Sequence, residues 1–430
     1  MDPDARVTAL TSRYDQLRAV PQGIIEAAST TFLLLIAVKA LNADPTSKAL
    51  IAAAGNVGLL LSLWLVPAAE QLGRPVMQVA SWLMLGGAVA MLLVAAVPVV
   101  PLLVLATLVG IGAANAIIPL MTSIYQDNYP PRMRGRLVSR AFVIRVIAAS
   151  VCAELGGRLL TEDIANFRWL LLCFGLAFGA AAYCLARIPS QALRRASLRL
   201  TGQSALGATF WGALDSLRYV RADRTLRWML ASWMLMGFAN LMMLPLRVEY
   251  LANPRYGLAL SPQQIALYTL LIPGLVRLLL SPLWGRLFDR MDFFAMRITL
   301  NTGFALSILS FFTGTSQFGL ALGAIIFGAS AAGGELVWNL WVTKFAPPER
   351  VAEYMSIHTF FTGVRGVLAP LVAFQLTQQL SISQIALICA GLIGLASVIL
   401  LPESRRNDRH TARTKGEATR AGEETSRVRE

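Results

Sequence analysis

The sequence predicts an all-α membrane protein of twelve transmembrane helices, arranged as two pseudosymmetric six-helix halves. Three observations predict it. Of 430 residues, 56% are hydrophobic and only 14% charged, against about 25% charged in soluble globular chains. The apolar residues gather into blocks of roughly 18–25, enough to cross about 30 Å of hydrocarbon at 1.5 Å per residue. The basic residues are distributed about those blocks as a membrane topology requires.

The blocks lie near 21–40, 49–67, 76–97, 101–124, 138–158, 168–187, 227–247, 262–283, 297–314, 317–344, 354–376 and 383–402. Met1–Gln22, before the first, is polar and charged and has no cleavable signal, so the first span is expected to act as the insertion signal. An even number of spans puts both termini on one side. Of the 38 Lys and Arg residues, six (Lys39, Lys48, Arg158, Arg168, Arg247 and Arg255) then face the outside and three lie within spans, leaving 29 on the cytoplasmic side. That asymmetry predicts a bacterial-type inner membrane protein with cytoplasmic termini, and it accounts for the net charge of +14 without nucleic acid as a partner. The four cysteines fall in spans and give no disulfide framework or metal spacing.

The chain divides into an N-terminal half (1–188), a cytoplasmic linker (189–226), a C-terminal half (227–402) and a tail (403–430). Within the linker, "LGATFWGALDSLRYV" reads either as an amphipathic helix on the cytoplasmic leaflet or as a plain basic connection. The tail lacks apolar residues almost entirely and reads as disordered. The halves repeat each other. "YPPRMRGRLVSRAF" (129–142) aligns with "APPERVAEYMSIHT" (346–359), and "VPAAEQLGRP" (66–75) with "GRLFDRMDFF" (285–294), at nearly equal offsets. Duplicated halves are a build of alternating-access transporters.

On these residues the chain resembles the Major Facilitator Superfamily over roughly 15–402. The family's second-to-third loop signature is G-x-L-x-D-R-x-G-R-K. The second half keeps Gly285, Leu287, Asp289 and Arg290, with Asp292 in place of the second glycine. The first half keeps Gly73 and Arg74, with Val66, Glu70 and Gln71 in place of the glycine, aspartate and arginine. "RMRGR" (132–136) is similar to the family's basic fourth-to-fifth connection, whereas "CAELGG" in the fifth span lacks the antiporter Gly-Pro pair. The resemblance implies a gating role for the loop acids. Pseudosymmetry sets Glu70 against the start of the eleventh span and Asp289 against the start of the fifth, where a carboxylate interacts favourably with helix N–H groups.

Six ionisable residues are expected at membrane depth: Glu26, Arg145, Glu154, Arg277, Glu335 and Arg365, with His358 near the inner boundary. Each costs at least ~2.5–3.5 kcal/mol on insertion scales, so each is expected to face a cavity or a partner. His358, Thr362 and Arg365 share one helical face, as do Glu335 and Asn339 in the preceding span. An Arg365–Glu335 pair is therefore expected, either as a fixed strut or as a titrating substrate anchor. Glu154 reads as a partner of Arg158, one turn on. Glu26 has no basic residue within four positions, and reads either as a proton-coupling carboxylate or as a satisfied helix contact.

No phosphate-binding loop, metal motif or cofactor site appears, so an enzyme or nucleotide-driven pump is not expected. The reading is a monomeric secondary transporter of a small solute, proton-coupled, with Arg145, Arg277 and Arg365 pointing to a small organic anion or zwitterion. The alternatives are efflux of amphipathic compounds or drugs, suggested by the Met-rich "WMLASWMLMGFANLMMLP" of the seventh span, and a non-transporting or lipid-handling membrane protein.

Overall fold

A computed structural model describes residues 3–192, 224–341 and 351–401. Most of the linker and the tail lie outside the described residues. So do the side chains of Glu70, Asp289 and Asn339 and the 346–350 part of the repeated motif.

The first span is longer than its apolar block. Helix α1 (Pro3–Ala27) runs through a π-helical turn (Ala28–Phe32) into α2 (Leu33–Lys39). It is followed by α3 (Pro45–Leu72), α4 (Val76–Ala96), α5 (Val100–Ala116), α6 (Ile118–Asn128), α7 (Pro131–Glu162) and α8 (Phe167–Arg187). The fourth span breaks between α5 and α6 because Pro119 lies in the first turn of α6 and cannot continue the ladder from α5. After the linker come α9 (Arg224–Ala252), α10 (Pro262–Ala266), a second π-turn (Leu267–Leu271), α11 (Ile272–Arg290), α12 (Phe293–Phe312), α13 (Gln317–Leu340), α14 (Val351–Leu376) and α15 (Ile382–Leu401).

Side chains at the connections satisfy the backbone groups that helix ends expose. Ser261 and Gln264 form a reciprocal capping box at α10, and Asp292 and Ser316 cap α12 and α13. Asp44 accepts from Ser47 and Thr46 ahead of α3, and the Ser47 hydroxyl holds its carboxyl below the usual range. Arg134 of the "RMRGR" run donates to the carbonyls of Tyr125, Gln126 and Tyr129, closing the C-terminus of α6.

Among the described residues, ten helices are long and apolar enough to cross a membrane, against the twelve spans expected. The helices α3 and α7 are long, at 28 and 32 residues, but are not among the ten. In α7 the cause is polarity: beyond the basic first turns, Arg145, Glu154 and Arg158 interrupt the body of the helix. Exposed stripes such as Leu85, Val89 and Leu93 on α4, and Ile147, Val151 and Leu155 on α7, recur every four residues and present apolar faces to lipid.

Helices before the linker pack mainly on one another, α4 on α8, α3 on α5 and α1 on α7. Those after it do likewise, α12 on α13, α11 on α13 and α9 on α14. Among the described residues the groups are joined chiefly by α3 with α14 and α7 with α10, and also by α2 with α9, α7 with the second π-turn and α11, and the two π-turns with each other.

Candidate functional site

Gly23 decides where the site forms. A Cβ there would overlap the carbonyl of Arg145 and the Ala148 side chain, so only glycine lets α1 approach α7 this closely. One turn further along α1, that approach sets Glu26 beside Arg145.

Glu26 is not a lone acid. Its Oε2 lies 3.0 Å from Arg145 Nε, and its Oε1 accepts a 2.8 Å hydrogen bond from Arg277 Nη2 of α11. The other arm of Arg277, Nη1, lies 3.8 Å from Glu335 Oε2 on α13. The Phe142 ring lies 5.1 Å from the Arg145 guanidinium and 5.5 Å from that of Arg277, within cation–π range of both. The cluster holds two formal cations and two formal anions, and it bridges the helix groups before and after the linker. Among the described residues the buried Nε of Arg277 has no hydrogen-bond partner, whereas Arg145 Nε faces Glu26 as an ion pair without hydrogen-bond alignment.

A cavity of about 320 Å³ leads from this cluster toward the end of the bundle that carries the N-terminus. Glu26, Arg145, Gln22, Asn115, Arg18 and Tyr125 line it. Arg18 is bound to Asp15 at 2.8 Å and to the Tyr125 hydroxyl at 3.2 Å, and Tyr125 donates to Asp15 at 3.0 Å. Tyr129, just beyond the span, completes the group, and burial pushes its phenol above the ordinary range. Asp15, Arg18 and Tyr125 were not legible as site residues. They precede or follow the apolar blocks, and the available signal was the i, i+3 spacing of Asp15 and Arg18 on a helix that runs on past its block.

Arg365 and His358 sit elsewhere. Arg365 donates to the Trp233 carbonyl of α9 and does not form the expected pair with Glu335, which reaches Arg277. His358 is enclosed by Trp233, Trp338 and Trp341, with ring centroids at 4.8, 5.8 and 5.2 Å. Glu154 does pair with Arg158, at 2.5 Å, and also accepts from Gln263 of α10 at 2.9 Å. Of the loop-motif residues, Gly73 takes a positive φ of 59° at the end of α3, Arg74 is exposed, and Gly285 and exposed Arg290 belong to the last turns of α11. Met229, Met236, Met242 and Met243 of the seventh span are packed in the core and are not among the residues that line the cavity. Two residues counted on the outer side, Lys48 and Arg247, are buried, as is Arg297 of α12. Among the described residues no group of His, Cys, Asp and Glu is arranged to hold a metal ion.

The sequence model described as "Major Facilitator Superfamily" matches residues 22–291 and 250–428. No curated protein matches the chain by sequence. Solved structures match its fold. The nucleoside transporter NupG superposes with a TM-score of 0.69 at 15% identity, over 94% of this chain and 99% of its own. The D-xylose-proton symporter gives 0.62 at 16%, over 92% and 96%. The human organic anion transporter MFSD10 (TETRAN) gives 0.61 at 16%, over 93% and 100%.

Proposed function

The chain belongs to the Major Facilitator Superfamily and is a secondary transporter rather than an enzyme, and from that premise we propose that it carries a small organic anion together with a proton. In this reading α3 and α7 complete twelve spans, the halves on either side of the linker rock about the site, and both termini lie in the cytoplasm of a bacterial cell.

The observation that carries the reading is the bridging of Arg145 and Arg277 by one carboxylate, Glu26, at the end of the cavity. Two guanidiniums and two carboxylates balance. Adding an anion leaves the site with a net negative charge in a low-dielectric surrounding, which is costly. Adding a proton to Glu26 at the same time restores neutrality and frees both guanidinium forks for the incoming carboxylate. Anion and proton are then thermodynamically linked, and the pair enters as an electroneutral unit. Glu335, whose side chain is 46% exposed, holds Arg277 while Glu26 lets go.

The test is thermal unfolding of the purified protein at pH 5.5 and 7.5 against a panel of mono- and dicarboxylates, with bulky organic cations as controls. The reading expects a carboxylate to stabilise the protein more at pH 5.5, and expects Arg145→Ala or Arg277→Ala to abolish that shift. Stabilisation by the cations alone, or by nothing at either pH, would sink it. The efflux alternative rests on the methionines of α9, four of which are buried in the core.

A further inference from the structure

A second polar centre lies inside the helices that follow the linker, separate from the Glu26 cluster. Arg297 of α12 and Arg365 of α14 both converge on Trp233. The Arg297 guanidinium lies 3.6 Å from the Trp233 ring centroid, and Arg365 donates to the Trp233 carbonyl. Arg365 lies against Gly237, where a Cβ would overlap its guanidinium, so the helix surface of α9 is cut away to seat it. Both arginines are buried, at 1% and 8% exposure, and His358 beside them is at 0%. None of the ion pairs among the described residues includes either arginine.

The unsatisfied atoms at this centre share one character. His358 Nδ1 accepts from Trp341 Nε1 at 3.3 Å. An indole N–H only donates, so the imidazole is neutral and its proton is on Nε2. Among the described residues that Nε2 has no partner, and neither have Arg297 Nη1 and Nη2, Arg365 Nε, Trp233 Nε1 or the Thr362 hydroxyl. Five of these six are obligate donors, and the sixth can donate. Two buried like charges and a set of unmet donors call for an acceptor-only species that carries negative charge.

We propose that Arg297, Arg365, His358 and Trp233 form a resident site for a small, weakly hydrated inorganic anion, of the halide or nitrate class, distinct from the transport site. The aromatic wall of three tryptophans favours an ion that gives up its water readily, and the donors replace that water. The ion acts as a counter-charge that fixes α9, α12 and α14 against one another, and it does not depend on which solute is carried.

The full-length protein, purified in gluconate, is titrated with sodium bromide at constant ionic strength while thermal unfolding is followed. Bromide is expected to raise Tm saturably, with nitrate similar and sulfate weaker. Arg297→Gln should raise the half-saturating bromide concentration at least tenfold, and Arg145→Gln should leave it unchanged. Loss of the response in Arg145→Gln alone places the ion in the transport cavity and overturns the proposal. So does the absence of any difference between bromide and gluconate, which leaves the donors to water. If Arg297→Gln does not fold, anomalous diffraction from bromide-soaked crystals of the unaltered protein decides: a peak between Arg297 and Arg365 supports the site, and its absence at saturating bromide refutes it.

Discussion

Glu26→Gln keeps the shape of the side chain and removes its charge, so it imitates the protonated carboxylate. It should bind the anion as well at pH 7.5 as the unaltered protein does at pH 5.5, with a flat pH profile and slowed proton-driven uptake. A profile that stays steep in Glu26→Gln would move the coupling proton to another group. Arg277→Lys is not conservative here, because one ammonium cannot reach Glu26 at 2.8 Å and Glu335 at 3.8 Å in the fork geometry of a guanidinium. It should weaken anion binding about tenfold or more, the loss of one charge-assisted bond of roughly 1.5–3 kcal/mol, as read by ligand-shifted melting. The sequence identified Glu26, Arg145 and Arg277 as intramembrane charges because each interrupts an apolar block. It could not pair them, since the partners come from α1, α7 and α11 and pairing depends on helix packing. Reading Glu26 as isolated counted only neighbours along its own helix.

At the scale of the element, the two π-turns meet. Thr31 of the first and Thr269 of the second share a buried 2.9 Å hydrogen bond across the helix groups. Each π-turn carries one residue more than an α-helix needs, and such bulges recur at functional sites. The inserted residue sets the rotation of α1, which holds Glu26, relative to α2, which packs against α9. Deleting exposed Thr30 should restore α-helical register and turn one part against the other by about 100°. Either the Gly23 contact with α7 or the α2 contact with α9 is then lost. The expected result is a protein that still inserts but no longer shows ligand-shifted melting, whereas Thr31→Val, losing roughly 0.6 kcal/mol, should keep it. Apolar block length located these spans well. The π-turns and the polar first turns of α1 left no periodic trace, because a single extra residue does not disturb an all-apolar run, and residues 3–20 lie outside it.

For the whole molecule, the asymmetry between the two ends of the bundle defines the conformer. At the end away from the N-terminus, Lys48 of α3 and Glu249 of α9 form a buried ion pair at 2.8 Å, and Asn253 adds a 2.8 Å bond to the same carboxylate. Lys39 donates to the Leu260 carbonyl at 2.5 Å, and the Gln263 backbone donates to Thr161 at 3.1 Å. All but the Asn253 bond join helices before the linker to those after it, so this end is closed while the cavity runs toward the other. Opening it must separate Lys48 from Glu249. Removing one partner of a buried pair costs about 3–5 kcal/mol where the pair is made, and here it is made in the closed conformer. Since about 1.4 kcal/mol is a factor of ten, Lys48→Ala should shift the ratio of conformers toward opening at this end by at least about a hundredfold. Spin labels at Thr46→Cys and Gln378→Cys, on a background without the four native cysteines, report that separation by double electron–electron resonance. One short distance is expected for the unaltered pair, and a second, longer population in Lys48→Ala. An unchanged distribution would mean that the pair is a passive strut and that packing of α3 against α14 holds this end shut by itself.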